Sequence, residues 1–174
     1  MAGFTGRKKE TYENGSVYEG DFVNDEFHGK GKFTWTDEDG VTIIYEGGFV
    51  NGAFQGKGRK TWTDNGDYYE GDFVDGAQHG KGKITYANGD IFIGDFVDGE
   101  RVKGKLTKAN GRVEEGDFVD GELNGKGKVT YPKGNGYEEG IFENGNIIKG
   151  KKLGVYGYLE EGEFDSEGRL SGGR

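Results

Sequence analysis

The feature that most constrains the fold is a short motif that recurs along the whole chain. The string Tyr-Glu-Gly-Asp-Phe-Val at residues 18–23 returns as Tyr-Glu-Gly-Gly-Phe-Val at 45–50 and as Tyr-Glu-Gly-Asp-Phe-Val at 69–74. Weaker copies follow, and they begin at residues 92, 114, 138 and 160. The central glycines of successive copies are 22 to 27 residues apart. A period of this length is typical of repeat proteins, in which each unit packs mainly on its neighbours.

Each copy is followed by a second short segment and by turn signals. In one repeat the motif at 69–74 leads into Asp75-Gly76, then into the alternating run at 80–86, and then into Asn88-Gly89. Asn-Gly and Asp-Gly pairs supply the positive φ angles of tight hairpin turns. No segment shows the helical period of about 3.6 residues. The pattern therefore predicts successive β-hairpins in an antiparallel meander.

The pleat of a strand assigns the side chains of each motif to two faces. Tyr69, Gly71 and Phe73 share one face, whereas Glu70 and Asp72 lie on the other. Glycine normally weakens a strand. Its regular recurrence here indicates that bare backbone makes room for aromatic rings from neighbouring positions. We expect rings over glycine columns on one face and a surface of Glu, Asp, Lys and Thr on the other.

This arrangement resembles the MORN repeat, the membrane occupation and recognition nexus. The resemblance is carried by the Tyr-Glu-Gly-x-aromatic motif, the Asn/Asp-Gly turn and the Gly-x-Gly that opens the second strand. It implies an all-β fold, an elongated, twisted single-layer antiparallel meander of stacked β-hairpins. Glu114 and Glu138 depart from the pattern, because they replace the first tyrosine.

The same resemblance predicts one domain over residues 1–174. It divides the chain into a half-repeat at 1–17, repeats that start near 18, 45, 69, 92, 114 and 138, and a truncated repeat at 160–174. It further implies a non-catalytic role in scaffolding, partner binding or tethering near membranes and the cytoskeleton. Some members of the family dimerise through their last repeats.

Composition excludes several other classes. The chain has 37 Gly among 174 residues but one Pro, and it has no Gly-X-Y period, so it is not collagen-like. It lacks an apolar run long enough to span a membrane, and residues 1–9 lack the apolar core of a signal peptide. The absence of Cys and the net charge of −9 favour a cytoplasmic location and disfavour nucleic acid as a partner.

No constellation of residues favours catalysis. The two histidines, His28 and His79, lie two repeats apart, too far to share a metal ion within one chain. Gly76-x-x-x-Gly80-Lys81 falls short of a phosphate-binding loop by one spacer and by the Ser or Thr. We predict no catalytic residues, no cofactor and no metal site, and therefore no enzyme.

The aromatic face is the best candidate for function. A single-layer sheet has no second layer to cover its apolar side, and exposed apolar patches mark binding sites. The sequence therefore predicts a groove for an extended peptide or a helix of a protein partner. Its predicted residues are Tyr18, Phe33, Trp35, Tyr45, Trp62, Tyr69 and Tyr86. The competing interpretation is that these rings are simply the core.

Two alternatives remain open at this level. The chain could be a self-assembling structural element, a homodimer or filament, with contacts through Ile147, Ile148, Leu153, Tyr156 and Tyr158. It could also be a tethering module close to membranes or phosphoinositides, with weak lipid contacts through Lys149, Lys151 and Lys152. Attachment by charge alone needs about four or more clustered cations, which this segment lacks.

Overall fold

The computed structural model describes residues 1–171, and it confirms the predicted fold class. Fourteen strands form one open antiparallel sheet in which the strand order follows the chain from β1 to β14. The described residues contain no α-helix, and their one helical turn is a 3-10 turn at Pro132–Gly134. Each strand from β2 to β13 is therefore hydrogen-bonded to the strands that precede and follow it in the sequence, and β1 and β14 form the two edges.

The chain divides into two compact units. The first is Met1–Ala87 with Phe96–Gly99, and the second is Asn88–Asp95 with the residues from Glu100 onward. The first seven strands are β1 (Gly6–Thr11), β2 (Val17–Val23), β3 (Glu26–Thr36), β4 (Thr42–Val50), β5 (Ala53–Trp62), β6 (Tyr68–Val74) and β7 (Ala77–Thr85). The last seven are β8 (Ile91–Val97), β9 (Glu100–Thr107), β10 (Val113–Val119), β11 (Glu122–Thr130), β12 (Tyr137–Glu143), β13 (Asn146–Leu153) and β14 (Leu159–Glu163).

The predicted turns form with the backbone that their residues favour. Asn51 and Gly52, which connect β4 to β5, have φ angles of 47° and 80°. Asp75 and Gly76, which connect β6 to β7, have φ angles of 47° and 89°. Two consecutive positive φ angles characterise the two-residue hairpin turn whose twist matches that of the strands.

The core of the first unit is built from tyrosines that lie on glycine. The ring of Tyr45 covers Gly58 on the paired strand so closely that a Cβ there would lie 2.5 Å from the tyrosine ring. Phe54 stacks on Tyr45 with ring centroids 3.8 Å apart. Phe49 and Phe73 each form an edge-to-face contact with Tyr45, with ring centroids 5.1 and 4.9 Å away. This confirms the expectation that glycine makes room for aromatic rings.

The same tyrosine geometry repeats across the first unit. The hydroxyls of Tyr18, Tyr45 and Tyr69 donate to the carbonyl three residues later, at 2.7, 2.8 and 2.8 Å. All three side chains are fully buried. Burial raises the pKa of each of these phenols to about 12. Each tyrosine hydroxyl therefore has a hydrogen-bond acceptor inside the core, which offsets the cost of removing it from water.

The opposite face carries the predicted Glu and Lys side chains, and several of them form pairs of unlike charge. Lys32 lies 3.7 Å from Glu46, and Arg59 lies 3.6 Å from Glu70, on adjacent strands of the first unit. In the second unit Lys128 lies 3.4 Å from Glu139. These side chains are about half exposed, so each pair contributes only a few tenths of a kcal/mol.

The described core of the second unit combines phenylalanines with aliphatic side chains and has no fully buried tyrosine. Its buried side chains include Phe92, Leu106, Phe118, Leu123, Val129, Phe142 and Ile147. Glu114 and Glu138 occupy the repeat position of the tyrosines, and each has a cation beside it. Arg112 lies 3.1 Å from Glu114, and Lys152 lies 3.2 Å from Glu138. Carboxylates that are largely buried require such partners because desolvation penalises their charge.

Candidate interaction surface

Strands β3, β4 and β5 arrange six side chains of the aromatic face in two rows. Trp35 is the register partner of Ile43, which is in turn the partner of Trp62. In the neighbouring row, Phe33 and Lys60 flank Tyr45 in the same way. Ile43 and Tyr45 are buried and form the floor. We call the four flanking residues, Phe33, Trp35, Lys60 and Trp62, the tryptophan patch.

The aromatic rings of the tryptophan patch pack on one another but stay partly accessible. Phe33 and Trp35 stack with centroids 5.2 Å apart and ring planes 21° apart. Trp35 also contacts Phe54 at 5.7 Å. All four of the aromatic residues Phe33, Trp35, Phe54 and Trp62 are half-buried. A rigid platform of this kind, apolar with a polar indole N–H, is the type of surface that protein interfaces favour.

Lys60 places a cation at the centre of this apolar platform. Its ammonium lies 4.9 Å from the Trp62 ring centroid and 5.8 Å from that of Trp35, within the range of cation–π attraction. Burial lowers the pKa of Lys60, and Asp37 partly opposes this by raising it. The rings therefore displace part of the water around the ammonium and attract it, but they provide no negative charge.

The carboxylate of Asp37, whose charge acts on Lys60, accepts hydrogen bonds within its own turn. Its Oδ1 accepts hydrogen bonds from the backbone N–H groups of Asp39 and Val41, at 3.0 and 2.9 Å, and so closes its own turn. Within residues 1–171, Lys60 has no carboxylate within 4.0 Å and no hydrogen-bond partner for its ammonium. Lys60 is thus a half-buried cation without an ion pair.

The structure divides the seven predicted groove residues into two groups. Tyr18, Tyr45 and Tyr69 are completely buried, so they support the surface from below. The other four, Phe33, Trp35, Trp62 and Tyr86, are half-buried and remain accessible to a partner. Of these four, the structure brings Phe33, Trp35 and Trp62 together, and it places Tyr86 directly after β7.

The residues predicted for self-association do not form one surface. Ile147 is buried in the core of the second unit, whereas Ile148 is 37% exposed and Leu153 is half-buried. Tyr156 and Tyr158 lie in the turn between β13 and β14 and are 87% and 78% exposed. The accessible part of this prediction is therefore the turn.

The three lysines predicted for lipid contact lie on both faces of β13. Lys149 and Lys151 lie on the face opposite the aromatic one. Their ammonium groups are 3.7 Å from the Glu163 carboxylate and 3.6 Å from the Glu161 carboxylate, respectively. Lys152 lies on the aromatic face, where its ammonium pairs with the Glu138 carboxylate and donates a hydrogen bond to the Gly168 carbonyl at 2.9 Å. Because a glutamate lies beside each lysine, the structure provides no concentrated positive patch here, and lipid contact stays a prediction.

Sequence reasoning missed two residues of this surface, Lys60 and Phe54. The signal for Lys60 was present, because strand alternation places it on the same face as Gly58 and Trp62. Phe54 is harder to place, because β5 bulges beside it. One residue lies between Gly47 and Phe49 on β4, whereas three lie between their partners Gly58 and Phe54 on β5. The signal for this bulge is the first glycine of the Gly-x-Gly motif, Gly56, which has a φ of 76°.

The part of the chain that the structure describes offers neither a metal-binding cluster nor a helix that could span a membrane. Residues 1–171 contain no group of three or more His, Asp or Glu side chains arranged to hold a metal ion. None of the helical segments in this range is long and apolar enough to cross a lipid bilayer. The tryptophan patch is therefore the leading candidate site in the first unit.

Comparison with known proteins supplies the family. The profile of the MORN repeat matches residues 18–40, 45–67, 69–91, 92–111 and 115–136, well over half of the chain. No curated protein sequence matches the chain closely enough to count as a relative. MORN repeats are generally modules for interaction with proteins or membranes, and proteins built from them are generally not enzymes. From its matched repeats and its meander of hairpins, this chain belongs to the MORN-repeat family.

Proposed function

We propose that this protein is a non-catalytic adaptor that binds a peptide or helix of a protein partner at the tryptophan patch. The observation that carries the proposal is the pair of half-exposed indoles, Trp35 and Trp62, on a sheet face. They are the only tryptophans of the chain. Tryptophan is among the residues that contribute most binding energy at protein interfaces.

The architecture of the first unit supports this proposal. Within its described residues, no helix or second sheet covers the aromatic face. Ile43 and Tyr45 hold the floor of the patch, and Phe33 and Phe54 pack against Trp35. A surface whose rings are already ordered loses little side-chain entropy when a partner binds.

The spacing of the two indoles fits either kind of ligand. Trp35 and Trp62 lie on strands separated by one strand, so their backbones are about 10 Å apart. This distance corresponds to anchors about seven residues apart on a helix, or about three residues apart on a peptide in the extended polyproline II conformation. Both interaction modes recur among peptide-binding domains.

A double variant tests the proposal. Trp35→Ala with Trp62→Ala should abolish capture of a partner from a cell extract, while circular dichroism and the unfolding transition show that the sheet persists. Tyr156→Ala with Tyr158→Ala is a matched control, because it removes two exposed rings outside the patch. If the tryptophan variant unfolds, the indoles belong to the core and the proposal fails.

A second candidate function is self-association, favoured by one exposed apolar segment. Val155, Tyr156, Tyr158 and Leu159 are 57%, 87%, 78% and 55% exposed in and beside the turn between β13 and β14. Light scattering after size-exclusion chromatography, over at least a tenfold range of concentration, tests it. A mass that rises with concentration in the wild type, but not in Tyr156→Ser with Tyr158→Ser, supports this role. A constant monomer mass rejects it.

A further inference from the structure

The repeats themselves show that Lys60 occupies an unusual position. Each second strand has a glycine that pairs with the central glycine of the motif, and the residue two positions after it faces the aromatic side. This residue is apolar in four repeats and lysine in two. The six residues at this position are Phe33, Lys60, Ile84, Leu106, Val129 and Lys152. Lys60 and Lys152 therefore bring the same charged group to the same place in two different repeats.

Among residues 1–171, Lys152 has a counter-ion and Lys60 has none. Lys152 is the register partner of Glu138, and the ammonium lies 3.2 Å from the carboxylate. Both side chains of this pair are 18% exposed. Lys60 is the register partner of Tyr45, whose buried hydroxyl already donates to the Gly48 carbonyl. In the first unit the position of the carboxylate is thus filled by a phenol that offers no negative charge.

The environment of Lys60 makes this difference costly. A cation that is partly removed from water needs a counter-charge or hydrogen bonds to offset the lost hydration. The faces of Trp35 and Trp62 attract the ammonium, but an aromatic face supplies neither a full negative charge nor a hydrogen-bond acceptor of ordinary strength. The three N–H donors of the ammonium remain without an acceptor among the described residues.

We propose that Lys60 binds an aspartate or glutamate side chain of the partner, between the two tryptophans. The carboxylate would take the role at Lys60 that Glu138 has at Lys152, and apolar side chains beside it in the ligand would cover the indoles. The ligand is then an acidic–apolar peptide segment rather than a purely apolar one. This inference rests on the proposed adaptor function, because it concerns the same patch.

The test begins with a random library of twelve-residue peptides displayed on phage. The wild-type protein serves as bait, and the Trp35→Ala with Trp62→Ala variant removes peptides that bind elsewhere. We expect the selected peptides to share an Asp or Glu next to aromatic or aliphatic residues. The best peptide is then synthesised with that residue intact and with its amide counterpart, Asn or Gln.

Affinities of the two peptides are measured by fluorescence anisotropy of a labelled peptide. The wild type should bind the acidic peptide at least about tenfold more tightly than the amide peptide, as expected for a charge-assisted hydrogen bond. Lys60→Met keeps the length of the aliphatic stem but removes the charge, and it should bind both peptides within about twofold of each other. Lys32→Met, on the opposite face, is the matched control and should retain the wild-type preference.

The possible failures are distinguishable. If selected peptides depend on Trp35 and Trp62 but carry no shared acid, or bind equally as amides, the role of Lys60 is overturned and the adaptor function stands. If the wild type selects no peptide over the double tryptophan variant, the adaptor function itself is overturned. The comparison of acidic and amide peptides on the wild type remains decisive even if Lys60→Met does not fold.

Discussion

The phenol ring of Tyr45 lies flat against the backbone of Gly58 on the next strand, and Phe54 closes its other side at 3.8 Å. The tyrosine is therefore held between a bare backbone and a second ring. Its hydroxyl reaches past the glycine to the Gly48 carbonyl, 2.8 Å away. One glycine thus determines whether an aromatic layer can form on this face of the first unit.

Gly58→Ala should destabilise the protein for this reason. The added Cβ would lie 2.5 Å from the ring, and the stacked Phe54 prevents the ring from moving away. Overpacking of this kind costs about 1–3 kcal/mol. Urea denaturation measures the loss, and Gly154→Ala is the control because the nearest atom to its Cβ is 3.9 Å away. Equal stability of the two variants would contradict this account of the core.

Tyr69→Phe should lower stability without changing the fold. The Tyr69 hydroxyl donates to the Asp72 carbonyl at 2.8 Å inside the core, so its removal leaves a buried acceptor with one partner fewer. The expected loss is about 1 kcal/mol. Tyr156→Phe, in which the ring is 87% exposed, should change stability by much less. Denaturation of both variants under the same conditions provides the comparison.

Alkaline pH should unfold the first unit through its tyrosines. Burial raises the pKa of Tyr18, Tyr45 and Tyr69 to about 12, above the ordinary value of 10.0. A raised pKa means that the unfolded chain releases these protons first. The stability that the neutral phenols contribute is complete below about pH 10 and is lost as the pH rises towards about 12.

Denaturation midpoints across this alkaline range, followed together with tyrosinate absorbance, test the pH dependence. The three buried phenols should ionise only as the protein unfolds. The variant with all three tyrosines changed to phenylalanine is less stable at neutral pH, but it should lose less stability in the alkaline range. A wild-type sheet that keeps its stability while these phenols ionise would refute the assigned cause.

Glu138→Gln should be more damaging than the loss of an outer carboxylate. Glu138 and Lys152 are each 18% exposed, so the variant leaves a largely buried ammonium without its counter-ion. We expect a loss of about 1–3 kcal/mol. Glu161→Gln removes the exposed partner of Lys151 and should cost no more than about 0.5 kcal/mol. Thermal unfolding of both variants, at low and at high salt, compares the stability lost with the largely buried pair and the stability lost with the exposed pair.

The sequence predicted the architecture because the information for it is local. Asn-Gly and Asp-Gly pairs specify the turns, and alternation along each strand specifies which side chain faces which side. The stacking of rings on glycine followed from the same alternation, as Tyr45 and Gly58 show. Each of these inferences requires only residues of one hairpin and its neighbour.

The candidate site was predicted only in outline. The sequence placed Tyr45 and Trp62 in one groove, yet the phenol is buried and the indole is half-buried. That difference arises because Phe54 covers Tyr45, and Phe54 reaches it through the bulge in β5, where Gly56 has a φ of 76°. The exposed fraction of a ring depends on which side chains of the neighbouring strands cover it. The periodicity of the sequence does not specify those side chains.

By itself, the sequence determined the repeat, the meander and the two faces, since these follow from the turn residues and the pleat. The tertiary structure alone decided which aromatic residues remain accessible and which charged residues are paired. Lys60 and Lys152 occupy the same repeat position, but within the described part of the chain Lys152 faces a carboxylate and Lys60 does not. Burial and pairing are properties of side chains that meet across strands, so the same residue in the same motif has a different environment in each unit.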